Sequence, residues 1–392
     1  MSGSRGSFEA LEKARAAAAT VEAGALIAER ERTLPRESVD ALATAGAFSC
    51  LVPKAVGGLE LDPPSAIELF EEFARQDGSA GWCAGIGAIT TGIVAAGLPE
   101  AGARRLFGGD EFAICAGGFT PRAQAQRTPE GYRISGRFAF GSGCRYADWM
   151  VLTAVVSEDG DARRGDRDVP EIRSLCVPQS CVTLHDNWDV AGLQGTCSND
   201  YEVQDLVVDE DHSFRIFDGW EPERGGRLYR IPTTAFACMA HLGFALGVGR
   251  RALDDVSLRA LETQRFGTGV LLRDEGSFLR EHAHELAKLR AARLLAFDAY
   301  GELWESTSRD AGASILERAR VGAAVVHAYR MAASAADFAF RSLGASVLYR
   351  SDRVQRCFRD IRAGMQHIVA SDVMMERVGQ VELGVAPDDV IL

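Results

Sequence analysis

From residue 233 almost to its end, this 392-residue chain holds a helical pattern in four long runs, 233–264, 277–306, 313–343 and 352–378. Four long amphipathic runs joined by short links bury their apolar stripes most simply against one another, which favours an up-and-down bundle. Alanine crowds the seams, at Ala291, Ala292 and Ala296 and again at Ala332, Ala333, Ala335 and Ala336. Such seams let helices approach closely, within one subunit or between two.

The first hundred residues are helical as well. Ser7 suits an N-cap, and Phe8, Leu11, Ala14, Ala18 and Val21 form an apolar stripe that fades by Arg32. Leu34-Pro35 starts a second helix that Gly46 ends, and Pro63-Pro64 opens a third through Ile67, Phe70 and Phe73. Between 111 and 217 the texture changes. Short β-prone runs at 112–115, 132–140, 149–156, 172–177 and 201–208 alternate with turn residues, and the charged stretch 157–170 reads as an exposed hairpin loop. The expected architecture is mainly α with an inserted β domain: a helical domain over 1–110, a β domain over 111–217 and the bundle with its tail over 218–392, acting as one subunit.

Several function classes drop out. With 43 Lys and Arg against 55 Asp and Glu the net charge is −12, so an electrostatic grip on nucleic acid or an anionic membrane is not expected. Nine scattered cysteines without a CxxC pair indicate neither a disulfide framework nor a zinc site, and they fit a reducing cytoplasm. The apolar stretch 236–249 is too short to span a bilayer and contains His241, and the N-terminus lacks a signal pattern. Gly247 and Gly249 fall inside a helix and make no dinucleotide fingerprint, while His282 and His284, two apart, cannot share a metal. No metal is expected.

Four segments carry a resemblance: Asp77-Gly-Ser-Ala-Gly-Trp82, Gly136-Arg-Phe-Ala-Phe-Gly-Ser-Gly-Cys-Arg-Tyr-Ala-Asp-Trp149, Trp188-Asp-Val-Ala-Gly-Leu-Gln-Gly-Thr-Cys-Ser198 and Arg359-Asp-Ile-Arg-Ala-Gly-Met-Gln-His367. Together they resemble the acyl-CoA dehydrogenase fold, and within it the two-component, group D flavin-dependent monooxygenases that hydroxylate phenols and polyketides. The likeness runs from about residue 8 to the tail, where Gly384-Val-Ala-Pro-Asp-Asp-Val390 is similar to that branch's ending.

The resemblance implies roles. The turn at Ser142 would lay a hydroxyl and backbone amides against the flavin ring near its N5 edge, with Gly141 and Gly143 letting the backbone approach; read alone, the same residues make a plain β-turn. His367 stands where common acyl-CoA dehydrogenases carry a glutamate base. It would serve as base toward the substrate or as donor to a flavin peroxide. Trp82, Thr90 and Phe119 would line the substrate pocket, Thr90 standing where several phenol hydroxylases carry a second histidine. Gly143, Trp82, Arg265, Phe266 and Gly344 would contact the cofactor. In Gln264-Arg-Phe-Gly267, Arg265 is the expected cation for the flavin phosphate, and Gly344-Ala345 in place of a Gly-Gly pair favours FMN over FAD.

The function so implied is the oxygenase component of a two-component monooxygenase. It would use reduced flavin and O2, through a C4a-hydroperoxide, to hydroxylate an aromatic or polyketide-like molecule, with a separate NAD(P)H:flavin reductase and a homotetrameric assembly. The alternatives are an acyl-CoA dehydrogenase, an amino-sugar N-oxygenase and a non-catalytic flavin-binding bundle.

Overall fold

The computed structural model describes residues 5–109, 112–158, 160–164, 169–217, 220–265, 267 and 269–386. Five helices come first: α1 (Arg5–Glu31), α2 (Arg36–Thr44), α3 (Pro63–Gln76), α4 (Gly78–Gly97) and α5 (Glu100–Phe107). Local chemistry sets two of the starts. The Asp62 carboxylate accepts the Ser65 amide at the head of α3, with Pro63 in the first turn, and Asp77 accepts the Ala80 amide at the head of α4. Helix α4 is long and apolar enough to cross a membrane by length and composition, yet most of it is buried against α3 and α6.

The middle of the chain forms a mixed sheet from β1 (Cys115–Gly117), β2 (Ala123–Thr128), β3 (Gly131–Gly141), β4 (Trp149–Glu158), β5 (Asp161–Ala162), β6 (Ile172–Pro178), β7 (Thr183–Leu184), β8 (Asn199–Val208) and β9 (Ser213–Arg215). Its order is β7-β8-β3-β2-β4-β6-β9, with β1 and β5 also on β4; β1 and β2 run parallel to β4 and the other pairs are antiparallel. The first β-prone run is displaced, 112–115 giving way to Cys115–Gly117. Strand β2, Ala-Gln-Ala-Gln-Arg-Thr, carried no apolar signal because only one of its residues, Ala125, is buried. Within 157–170, β5 and a bridge from Arg164 to Pro170 shape part of the expected loop, and 159 and 165–168 lie outside the described residues. Tyr132, Phe138, Met150, Leu175 and Tyr201 fill the sheet's own core.

The last part comprises α6 (Thr233–Ala260), α7 (Gly276–Ser306), α8 (Ile315–Leu343), α9 (Arg353–Gly364) and α10 (Asp372–Glu382). Helix α6 is the axis of the molecule. A Cβ on Gly243 would lie 2.4 Å from Phe70 Cβ, and one on Gly247 would lie 2.3 Å from the Glu71 carbonyl, so these glycines exist to let α3 and α6 touch. In α8, Ala332, Ala335 and Ala336 are wholly buried, so its alanine seam is consumed inside one subunit.

The expected fourth bundle helix, 352–378, is two helices. Helix α9 ends at Gly364, and His367 caps a short 3-10 turn, Ile368–Ala370, by accepting the Val369 amide that would otherwise continue the helix. Beyond the break, Met374 and Val378 of α10 pack on Ala319 and Val326 of α8 in a separate small core. The two halves serve different neighbours, and a straight helix cannot reach both.

One junction holds α4, α9 and the segment before β8. Asp77 is salt-bridged to Arg356 at 3.1 Å with both side chains buried, and the Leu193 amide donates to Asp360 at 2.6 Å. Removing one partner of a buried pair leaves an uncompensated charge. Arg356→Ala is therefore expected to lower the unfolding free energy by roughly 3–5 kcal/mol, measured from urea unfolding at an unchanged m-value; a loss below about 1 kcal/mol contradicts this assignment.

Candidate functional site

Trp82 is placed by a helix crossing. A Cβ on Gly81 would lie 2.3 Å from Ala74 Cα, so the first turn of α4 sits directly on α3 and the next side chain projects toward the sheet. There the Trp82 Nε1–H donates to the Ser142 hydroxyl at 3.1 Å.

Ser142 follows β3 in a tight turn. Phe140 and Gly143 have positive φ (63° and 81°), and every backbone amide of the turn is spent internally: Ser142 N to Phe140 O, Gly143 N to Thr196 O, Cys144 N to Gly141 O. The expected backbone amides facing a ring are thus not free at Ser142, Gly143 or Cys144; the side chain is what remains. Ser142 Oγ lies 2.7 Å from Ser198 Oγ, which lies 2.7 Å from Thr196 Oγ1, whose hydroxyl donates to the Leu193 carbonyl at 2.8 Å.

His367 stands at the break between α9 and α10 rather than on a helix face. Its ring centroid is 4.2 Å from that of His241 on α6, and His241 Nδ1 is 2.8 Å from the Tyr329 hydroxyl of α8. Trp82 meets His241, Phe244 and His367 edge-on, at 5.3, 5.1 and 6.1 Å between ring centroids. A Cβ on Gly364 would lie 2.5 Å from the Phe244 ring, so this glycine brings the end of α9 onto α6.

Burial holds both imidazoles neutral. It pushes His367 from 6.5 down to about 4, and it pushes His241 well below the usual histidine range, with His367 adding to the shift. Because His367 Nδ1 accepts the Val369 amide, its single proton resides on Nε2. Tyr329, Phe244 and Trp82 complete an aromatic wall in which, among the described residues, no carboxylate hydrogen-bonds to either ring. Trp82 and His367 are only partly buried, so this wall borders open space.

The structure thus joins Trp82, Ser142 with its turn neighbour Gly143, and His367, predicted positions from three separate segments. It does not bring the others to them. Thr90 is buried on α4 eight residues past Trp82, about 12 Å along the helix axis. Phe119 follows β1 and packs partly buried on the main core. Arg265 lies in the α6–α7 link and is ion-paired to Glu275 at 2.8 Å, so the expected phosphate cation is already countered within this chain. Gly344, with φ 60° and nothing within 4 Å of a Cβ, acts as the terminator of α8. Phe266 lies outside the described residues.

Sequence reasoning missed His241, Tyr329, Phe244, Thr196 and Ser198. A histidine inside the apolar run 236–249 was the signal available for the first: a polar ring amid so much apolar surface needs a partner.

Two family models match the chain: Acyl-CoA dehydrogenase, N-terminal domain over residues 9–106, and Acyl-CoA dehydrogenase, C-terminal domain over 239–372. Among curated relatives, indole-3-acetate monooxygenase of Pseudomonas putida is 30% identical over 359 residues, covering 92% of this chain and 90% of that protein. Flavin-dependent monooxygenase, oxygenase subunit HsaA, of Mycobacterium tuberculosis is 28% identical over 387 residues, covering 92% of each. Among solved structures, XiaF from Streptomyces sp. in complex with FADH2 and glycerol superposes with a TM-score of 0.87 at 24% identity over 98% of both chains.

Burial of the neutral His367 ring ties stability to pH. An unfolded histidine titrates near 6.5, so the folded chain binds fewer protons between about 4 and 6.5; this contribution to stability is fully present above 6.5 and is lost as pH falls toward 4. Imidazole 15N spectra are expected to show His367 neutral at pH 5.5, and a transition near 6.5 contradicts the buried geometry.

Proposed function

The chain belongs to the acyl-CoA dehydrogenase family, among the flavin-dependent monooxygenases, and we propose that it is an oxygenase component that places one oxygen atom of O2 on a small aromatic or polyketide-like molecule. The observation that carries this reading is the uncharged cluster of Trp82, Ser142, His241 and His367, set in an aromatic wall.

The residues fit a flat heteroaromatic ring. Ser142 Oγ has partners in Trp82 and Ser198 and keeps one unused lone pair, and the neighbouring Trp82 and His367 border open space. Bound against them, reduced flavin supplies the electrons that activate dioxygen. Everything else falls to the chain. His367, neutral and with its proton on Nε2, is a hydrogen-bond donor, and this favours holding and orienting an oxygen over abstracting a substrate proton. His241, fixed by Tyr329, supports the His367 ring from behind. The aromatic side chains keep water away from whatever His367 holds, which suppresses release of H2O2 in place of oxygen transfer. Dehydrogenation of an acyl-CoA needs a carboxylate base, and the stretch 364–371 around His367 holds none.

A separate NAD(P)H:flavin reductase supplies the reduced flavin in this reading. The exposed Leu279, Leu294 and Leu295 on α7 suit packing in a homotetramer, and the nine free cysteines suit a reducing cytoplasm.

The test is turnover with a flavin reductase, NADH, and FMN or FAD, using indole-3-acetate as the first aromatic probe. Hydroxylated product is expected to track flavin oxidation. His367→Ala is expected to lower product per flavin oxidised by on the order of tenfold or more, with H2O2 rising in compensation. Unchanged coupling removes His367 from the mechanism.

A further inference from the structure

The hydroxyl chain behind Ser142 has a direction, and its two ends set it. An indole N–H only donates, so Trp82 gives its proton to Ser142 Oγ. A backbone carbonyl only accepts, so Thr196 gives its hydroxyl proton to Leu193 O. Between these ends stand three hydroxyls with one proton each. With the Thr196 proton spent, the 2.7 Å contact between Ser198 and Thr196 needs the Ser198 proton, and the 2.7 Å contact between Ser142 and Ser198 then needs the Ser142 proton. The Leu193 carbonyl also takes the Trp188 Nε1–H at 2.9 Å and the Thr196 amide at 3.2 Å, and only this polarity satisfies all four bonds of the chain. Ser142, Thr196 and Ser198 are all buried, so water does not compete for these protons.

The consequence concerns what Ser142 offers to a ligand. Its proton points back into the protein, one lone pair receives Trp82, and one lone pair is left. Ser142 is therefore an acceptor toward the site. A ligand atom bearing a hydrogen is complemented, whereas an atom presenting its own lone pair meets like against like and stays unsatisfied.

We infer that Ser198 and Thr196 are positioning residues that hold the Ser142 hydroxyl as an acceptor, so that the site takes reduced flavin, whose N5 carries a hydrogen, in preference to oxidised flavin, whose N5 presents a lone pair. The inference rests on the reading that the flavin ring lies against Ser142. It assigns selection between the two redox states to residues that do not touch the ring.

The experiment is anaerobic titration of the full-length protein with oxidised and with dithionite-reduced FMN and FAD, followed by fluorescence, together with the midpoint potential of the bound flavin. Wild type is expected to bind the reduced form more tightly. Ser198→Ala strands the Ser142 proton, which becomes free to turn toward an N5 lone pair. The ratio of oxidised to reduced dissociation constants is then expected to fall by about tenfold or more, chiefly through tighter oxidised binding. For a two-electron couple a tenfold fall lowers the bound potential by about 30 mV. Thr196→Val lets Ser198 turn its proton to Ser142 and is expected to move the ratio the same way, while Ser198→Thr keeps the chain and the wild-type ratio. A folded Ser198→Ala or Thr196→Val protein with an unchanged ratio overturns the inference and leaves the oxygenase reading standing, as does a wild type that binds both forms equally. A wild type that binds neither reduced FMN nor reduced FAD overturns the oxygenase reading itself.

Discussion

The site depends on a buried ionic junction that lies outside it. Asp77 caps α4 and pairs with Arg356, and one turn further along α9 Asp360 receives the Leu193 amide. Residues 356 and 360 share one helix face, so a single face of α9 holds two segments far apart in the chain. Each functional group follows its anchor at short range: Trp82 five residues after Asp77, Thr196 and Ser198 just after Leu193, His367 seven after Asp360. Close packing completes the registration. A Cβ on Gly192 would lie 2.2 Å from the Arg359 carbonyl, and the Gly195 amide donates to Ser79 at 3.2 Å.

The charge kept at this junction contrasts with the neutrality of the site it positions. Burial raises Asp360 to about 7, with nearby Asp77 adding to the shift, so its contribution to stability is present at low pH and is lost as pH rises toward 7. His367 acts in the opposite sense, since its contribution is lost as pH falls from 6.5 toward 4. The two offset each other across the mildly acidic range. The candidate site itself consists of an indole, hydroxyls and neutral imidazoles, and among the described residues no carboxylate hydrogen-bonds to either imidazole.

Much of the fold was legible because long elements announce themselves. The 28-residue α6 and the 29-residue α8 carry helical period over many turns, and β3, β4, β6 and β8 alternate buried and exposed positions or run continuously apolar. The break at His367 was not read from 352–378, because Gly364 and Ser371, which stand at its two sides, also occur singly inside helices, and the interruption comes from α9 and α10 packing on different neighbours. Strand β2 was hidden for a related reason: its polar residues belong to the sheet by backbone pairing with β3 and β4, which composition does not report.

Of the candidate site, only part of each recognisable segment was named, Thr196 and Ser198 being passed over inside 188–198. Trp82, Ser142 and His367 stood in motifs, whereas His241 and Tyr329 stand in apolar helices where a lone polar ring reads as a core residue. What the sequence by itself determined is the order of helical and β segments, the family they resemble and the chemical types available to the site. What only the tertiary structure decided is how those groups face one another: that His367 is paired with His241, that Arg265 is answered by Glu275, and that the Ser142 proton points inward. Hydrogen-bond direction and pKa depend on which neighbours fill the space around a group, and those neighbours come from helices and strands separated by tens to hundreds of residues. Local pattern carries no record of them.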